Sequence, residues 1–252
     1  MYKYASPKNF YALAGRLIPW LGAVTLLLFI LGLYLGLFVA PPDYQQGDSY
    51  RIMFIHVPAA WMSMFVYMIM AGAGLVGLVW NIKLADVLAS TSAPIGASFT
   101  LIALVTGSLW GKPMWGTYWV WDARLTSELI LFFLYIGFIA LQAAIDEPRR
   151  SARAGALLAL VGVVNIPIIH YSVNWWNTLH QPASISSLNK IGNPTIYPTM
   201  LHPLLIMALA FNLYYFTVVL MRMRGEILAR ERHTGWVTEI VRAKSTSQGL
   251  QQ

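Results

Sequence analysis

The chain contains no cysteine. Disulfides, thiolate metal ligands and the CxxCH motif that tethers a cofactor covalently are therefore excluded. Charge is scarce as well. Asp, Glu, Lys and Arg make up 11% of the 252 residues, against roughly a quarter in soluble domains. No GxxxxGK[ST] phosphate-binding loop is present.

What fills the space is apolar sequence, 58% of the chain, arranged in blocks. Leu17–Ala40, Ile52–Ile82, Val87–Gly111, Leu129–Ile145, Ala154–Asn189 and Ile191–Met221 contain no Asp, Glu, Lys or Arg. A helix needs about 20 such residues to cross the hydrocarbon core, so six blocks predict an all-α integral membrane protein with six transmembrane helices. The expected spans are 17–40, 53–80, 87–109, 127–145, 154–173 and 200–220, with Ser127 and Glu128 adding a first turn to the short fourth block. Pro94 and Gly96 suggest a kink in the third span, and Pro167 an interruption in the fifth. The first block is too long for a cleavable signal and reads as a retained helix. Neither a repeat nor a soluble domain is visible. The expectation is one membrane domain, 1–252, ending in a basic tail, 222–252, whose last residues look disordered.

The net charge of +7 points to membrane topology rather than to nucleic acid. Lys3, Lys8, Arg16, Lys83, Arg149, Arg150, Arg153, Arg222, Arg224, Arg230, Arg232, Arg242 and Lys244 fall on one side of the six-span arrangement, and Arg51, Lys112, Arg124 and Lys190 on the other. The positive-inside rule then places both termini in the cytoplasm.

Three outer loops follow from that topology. The one between spans three and four, Trp110–Glu128, reads WGKPMWGTYWVWDARLTSE. Trp110, Trp115, Trp119 and Trp121 lie in it beside Lys112, Asp122, Arg124 and Glu128. Tryptophan belts at membrane surfaces account for Trp20, Trp61, Trp80 and Trp236, but less well for this concentration. If Met114–Leu125 is helical, Trp115, Trp119 and Asp122 share one face and Trp121 and Arg124 another. An indole face would form a shelf for a planar ligand, and Arg124 and Lys112 could neutralise its carboxylates. Asp122 either pairs with Arg124 or caps the following helix.

His56, His170, His180 and His202 all fall near outer helix ends, and only His233 is cytoplasmic. For a single histidine an interfacial hydrogen bond is a sufficient explanation. Four together suggest metal ligation, by iron, zinc or copper. Zinc wants three or four ligands, preferably thiolate or carboxylate, and no outer carboxylate stands at helical spacing from a histidine. The residues alone reach an outward-facing site for an aromatic, anionic ligand with histidine available to a metal.

Trp115-Gly116-Thr117-Tyr118-Trp119-Val120-Trp121-Asp122 resembles the tryptophan-rich signature of the WWD-domain haem-handling family of cytochrome c maturation. Further segments are similar to its haem exporter protein C group (CcmC): Tyr50–Ala60, Ala93–Ala97, Gly111–Met114 and Asn174–Gln181. The resemblance covers about Trp20 to Arg224. It implies haem b bound at the periplasmic face of a bacterial inner membrane, with His56 and His180 as axial iron ligands. Trp115, Gly116, Trp119, Trp121, Asp122 and Arg124 would form the platform beneath it. It also implies delivery to a periplasmic haem chaperone, CcmE, within an ABC-type export complex of CcmA, CcmB and the small membrane subunit CcmD. By that resemblance the chain is no enzyme, apart from a haem-lyase-like role in loading the chaperone. His170 and His202 match no ligand position. The rival reading is a secondary transporter of a hydrophobic substrate, which would want ionisable residues within the spans and paired broken helices. The larger cytochrome c synthetases share the tryptophan motif but are much longer.

Overall fold

Pro7 opens the first helix at a position where its missing N–H costs nothing. The computed structural model describes residues 6–180 and 196–249. Lys3 of the amino-terminal lead and Gln181, Pro182, Lys190 and Pro194 of the last outer loop lie outside them. The helices are α1 (Pro7–Tyr34), α2 (Met53–Trp80), α3 (Lys83–Trp115), α4 (Ala123–Ala143), α5 (Pro148–Gly162), α6 (Asn165–Trp175), α7 (Pro198–Arg230) and α8 (Gly235–Gly249). With α5 and α6 counted as one, six segments are long and apolar enough to cross a membrane. No strand occurs among the described residues. The protein is an all-α, multi-pass membrane protein.

The helix ends differ from the expected ones for local reasons. The basic lead is mostly helix, because α1 starts at Pro7, and α1 closes in a π-helical turn, Leu35–Val39. Ala40, which precedes Pro41, is extended as its position before proline requires. The fifth span breaks at Val163–Val164 rather than at Pro167. A proline clashes with the carbonyl four residues earlier, here Val163, so the chain turns there and Pro167 falls in the first turn of α6. The third span runs through Pro94 without interruption. At the other end α7 continues to Arg230, held by buried Met223 and Ile227, and Gly235–Gly249 of the expected loose tail is helical.

Packing places α2 at the centre, against α3, α5 and α7, while α1 lies on α7 and α4 on α3, α5 and α6. Little of α1 is covered, with Leu26, Leu27 and Ile30 all exposed, as suits a lipid-facing helix. The core holds three fully buried tyrosines, Tyr67, Tyr135 and Tyr215. The Tyr135 hydroxyl donates to the Ser63 carbonyl (2.7 Å), and the Ser92 and Tyr215 hydroxyls are 2.9 Å apart. Gly96 of α3 makes room for the Tyr135 ring, since a methyl group there would overlap it. Small residues at such crossings are how membrane helices approach closely. The α3–α4 crossing in turn fixes both ends of the tryptophan-rich segment.

Candidate functional site

The tryptophan-rich segment is not one helix. Trp115 is the last residue of α3, and Gly116 caps that helix with φ 77°, a left-handed conformation that suits glycine. The Lys112 ammonium donates to the Gly116 carbonyl (3.0 Å) and sits over the Tyr118 ring. Residues 117–122 are irregular, with the Thr117 hydroxyl donating to the Trp119 carbonyl at 3.1 Å. Asp122 then caps α4, its Oδ1 accepting from the Leu125 N–H at 2.8 Å. A helical face shared by Trp115, Trp119 and Asp122 is therefore ruled out. The indoles meet edge-on instead: Trp119 and Trp121 have centroids 5.4 Å apart with planes at 78°.

Two histidines reach this segment. His56 lies in the first turn of α2, where its Nδ1 is 3.0 Å from the Ala103 carbonyl and 3.1 Å from the Thr106 hydroxyl of α3. A carbonyl only accepts, so Nδ1 carries the proton and Nε2 keeps its lone pair. The Trp110 ring stands edge-on to His56 at 5.7 Å and donates through its own Nε1 to the Gln46 side chain. Gly107 leaves the space the imidazole occupies, since a Cβ there would come 2.8 Å from its Cε1.

His180 follows α6 and packs edge-on against Trp115, centroids 4.9 Å apart. Its Nδ1 is 3.6 Å from Asp122 Oδ2. Burial pushes the Asp122 carboxyl up, but His180 and the Leu125 amide outweigh it and hold the group below the usual carboxylate range. Of the choices open for Asp122, the cap is observed and a pair with Arg124 is not; its second oxygen faces His180.

Three buried polar atoms here lack a hydrogen-bond partner among the described residues: Trp119 Nε1, Asp122 Oδ2 and His180 Nδ1. Buried polar atoms are rarely left so. The half-buried Arg124 guanidinium also makes no hydrogen bond or ion pair among the described residues, while Arg51 is occupied by Asp48 and the Gly36 carbonyl. An opening of about 300 Å³ separates Val120, Trp121 and Asp122 from Asn177, Thr178 and Leu179. His170 and His202 are exposed, His170 lying against Tyr171, and the structure does not draw them into the group. The described residues hold no cluster of three His, Asp or Glu side chains for a metal such as zinc.

Sequence reasoning missed Glu128. The fourth span begins at Ala123, so Arg124 lies within it rather than before it, and Glu128 lies in its second turn rather than its first. Glu128 is buried and accepts from the Ser63 hydroxyl of α2 at 2.7 Å. Its run of flanking apolar residues was the available signal.

Six membrane-length helices, with two histidines packed against a tryptophan-rich segment at one end, define a polytopic membrane protein. The family model described as Heme exporter protein C matches residues 1–238. Proteins of that name are similar over nearly the whole chain. The one from Bradyrhizobium diazoefficiens is 57% identical over 90% of this chain and 84% of its own. That from Escherichia coli K12 is 51% identical over 96% of each, and that from Haemophilus influenzae 50% over 94% and 95%. The chain belongs to the haem exporter protein C family.

Proposed function

We propose that the chain binds haem b between His56 and His180 at the periplasmic face of the inner membrane and presents it to a periplasmic haem chaperone. The observation that carries this is the pair of imidazoles. His56 Nδ1 meets the Ala103 carbonyl, His180 Nδ1 faces Asp122 Oδ2 at 3.6 Å, and neither Nε2 has a partner among the described residues. Two neutral imidazoles are an axial set for haem iron. They fit haem better than zinc, which takes more ligands.

Arg124, which makes no hydrogen bond or ion pair among the described residues, would meet a propionate. Trp115 and Trp110 brace the two histidines, Trp121 lines the small opening, and Trp119 stands edge-on to Trp121. With the indoles edge-on to one another rather than stacked as a shelf, part of the macrocycle would stay uncovered. An uncovered edge is what transfer to a second protein requires. The likeness to haem exporters further supports work in cytochrome c maturation alongside the ABC pair CcmA and CcmB and the small subunit CcmD. The chain would be a binding and delivery component with a haem-lyase-like role in loading CcmE.

Orientation follows from charge. Lys8, Arg16, Lys83, Arg149, Arg150, Arg153, Arg222, Arg224, Arg230 and Arg232 lie at the end opposite the site, which holds Arg51, Lys112 and Arg124. That bias supports cytoplasmic termini. A secondary transporter gains Glu128 and the break at Val163–Val164, but α3 is unbroken through Pro94 and supplies no matching discontinuity.

Trp119→Ala tests the presenting role. Membranes carrying the variant should contain normal amounts of the protein yet load the chaperone with clearly less covalent haem than wild type. Equal loading would remove Trp119 from the account. Gly107→Ala should press on His56 and weaken haem binding by about tenfold, the low end of the cost of disturbing a metal ligand's orientation. An unchanged absorption titration would mean that the ring does not need that space.

A further inference from the structure

Asp122 divides its carboxylate between two tasks. Oδ1 takes the Leu125 N–H and starts α4. Oδ2 is buried and lies 3.6 Å from His180 Nδ1, which is also buried; among the described residues neither has a hydrogen-bond partner. These two atoms face each other, and a proton on Nδ1 would serve both. The helix cap aims the carboxylate, and the carboxylate aims the ring. Trp115 closes on the same imidazole edge-on, so the ring is restrained from a second direction.

His56 is held differently. Its Nδ1 meets a neutral carbonyl and a hydroxyl. A carboxylate acceptor raises the donor strength of the opposite ring nitrogen more than a carbonyl does. The two ligands are therefore built unequal.

We propose that Asp122 is a positioning residue that fixes His180 with its proton on Nδ1 and makes it the stronger of the two iron ligands. The proposal rests on the haem-binding reading and deepens it. A stronger, more anionic donor favours ferric over ferrous iron, so the pair biases bound haem toward the oxidised state. It also marks the His56 side as the weaker bond, where a competing ligand from a receiving protein would exchange.

The test is Asp122→Asn in the full-length purified protein. Asparagine caps a helix as well as aspartate does, so α4 keeps its start while the carboxylate facing Nδ1 is lost. Ferric haem affinity should fall by about 10–100-fold, the usual range for losing such a partner. The midpoint potential should rise and the low-spin ferric electron paramagnetic resonance signal should shift, with Asp122→Glu recovering part of each. Wild-type affinity, potential and resonance signal in Asp122→Asn would overturn the proposal. His180→Ala separates the two levels of the argument. Loss of the low-spin signal in His180→Ala with an unchanged Asp122→Asn sinks only the role of Asp122. Retention of that signal in His180→Ala sinks the haem ligation and this proposal with it.

Discussion

His180→Ala and His56→Ala, each made singly, are expected to strip haem from the purified protein, with affinity lower by more than about 100-fold. Loss of a partner that merely orients a ligand costs about 10–100-fold, and here the ligand itself is removed. No third histidine can step in. His170 and His202 are exposed, and the structure does not draw them into the site. His170→Ala and His202→Ala should therefore bind haem as wild type does. The measurement is an absorption titration of each variant in detergent. Full affinity in both His56→Ala and His180→Ala would remove the imidazole pair as the site.

Gly96→Val should be strongly destabilising. Its Cβ alone would overlap the Tyr135 ring. Tyr135 is fully buried and tied by its hydroxyl to the Ser63 carbonyl of α2. The ring cannot yield without breaking that bond or parting α3 from α4. Overpacking of this kind costs about 1–3 kcal/mol and sometimes more. The consequence reaches the site, because α3 ends in Trp115 and α4 begins beside Asp122. Thermal unfolding in detergent should show a lowered midpoint, with haem binding weakened as well. A variant as stable as wild type would mean that the crossing has slack that the packing does not show.

The fold was largely legible in the sequence because a bilayer imposes a simple demand. Runs of about 20 apolar residues must be helices, since unpaired backbone groups are not tolerated in lipid. The ends were harder to read. Charge-free blocks mark where charges stop, not where helices stop, so Arg124 and Glu128 were read as lying before or at the very start of the fourth span rather than inside it. Pro167 signalled a break, but the clash acts four residues earlier, at Val163.

The site was legible in its parts and not in its assembly. Trp115, Trp119 and Asp122 suggested a helical face only because the conformation of Gly116 was unknown. One left-handed residue ended α3 and removed that face. The approach of Asp122 to His180 could not be read at all, because it joins two distant loops with no helical spacing between them. His56 and His180 stood out by resemblance rather than by spacing. The structure adds what each ring nitrogen faces.

The most direct measurement is near-infrared magnetic circular dichroism of the wild-type protein loaded with ferric haem. The account predicts a low-spin spectrum with the charge-transfer band of two neutral nitrogen ligands, collapsing in His180→Ala. A high-spin spectrum, or a low-spin one with any other ligand pair, would contradict it.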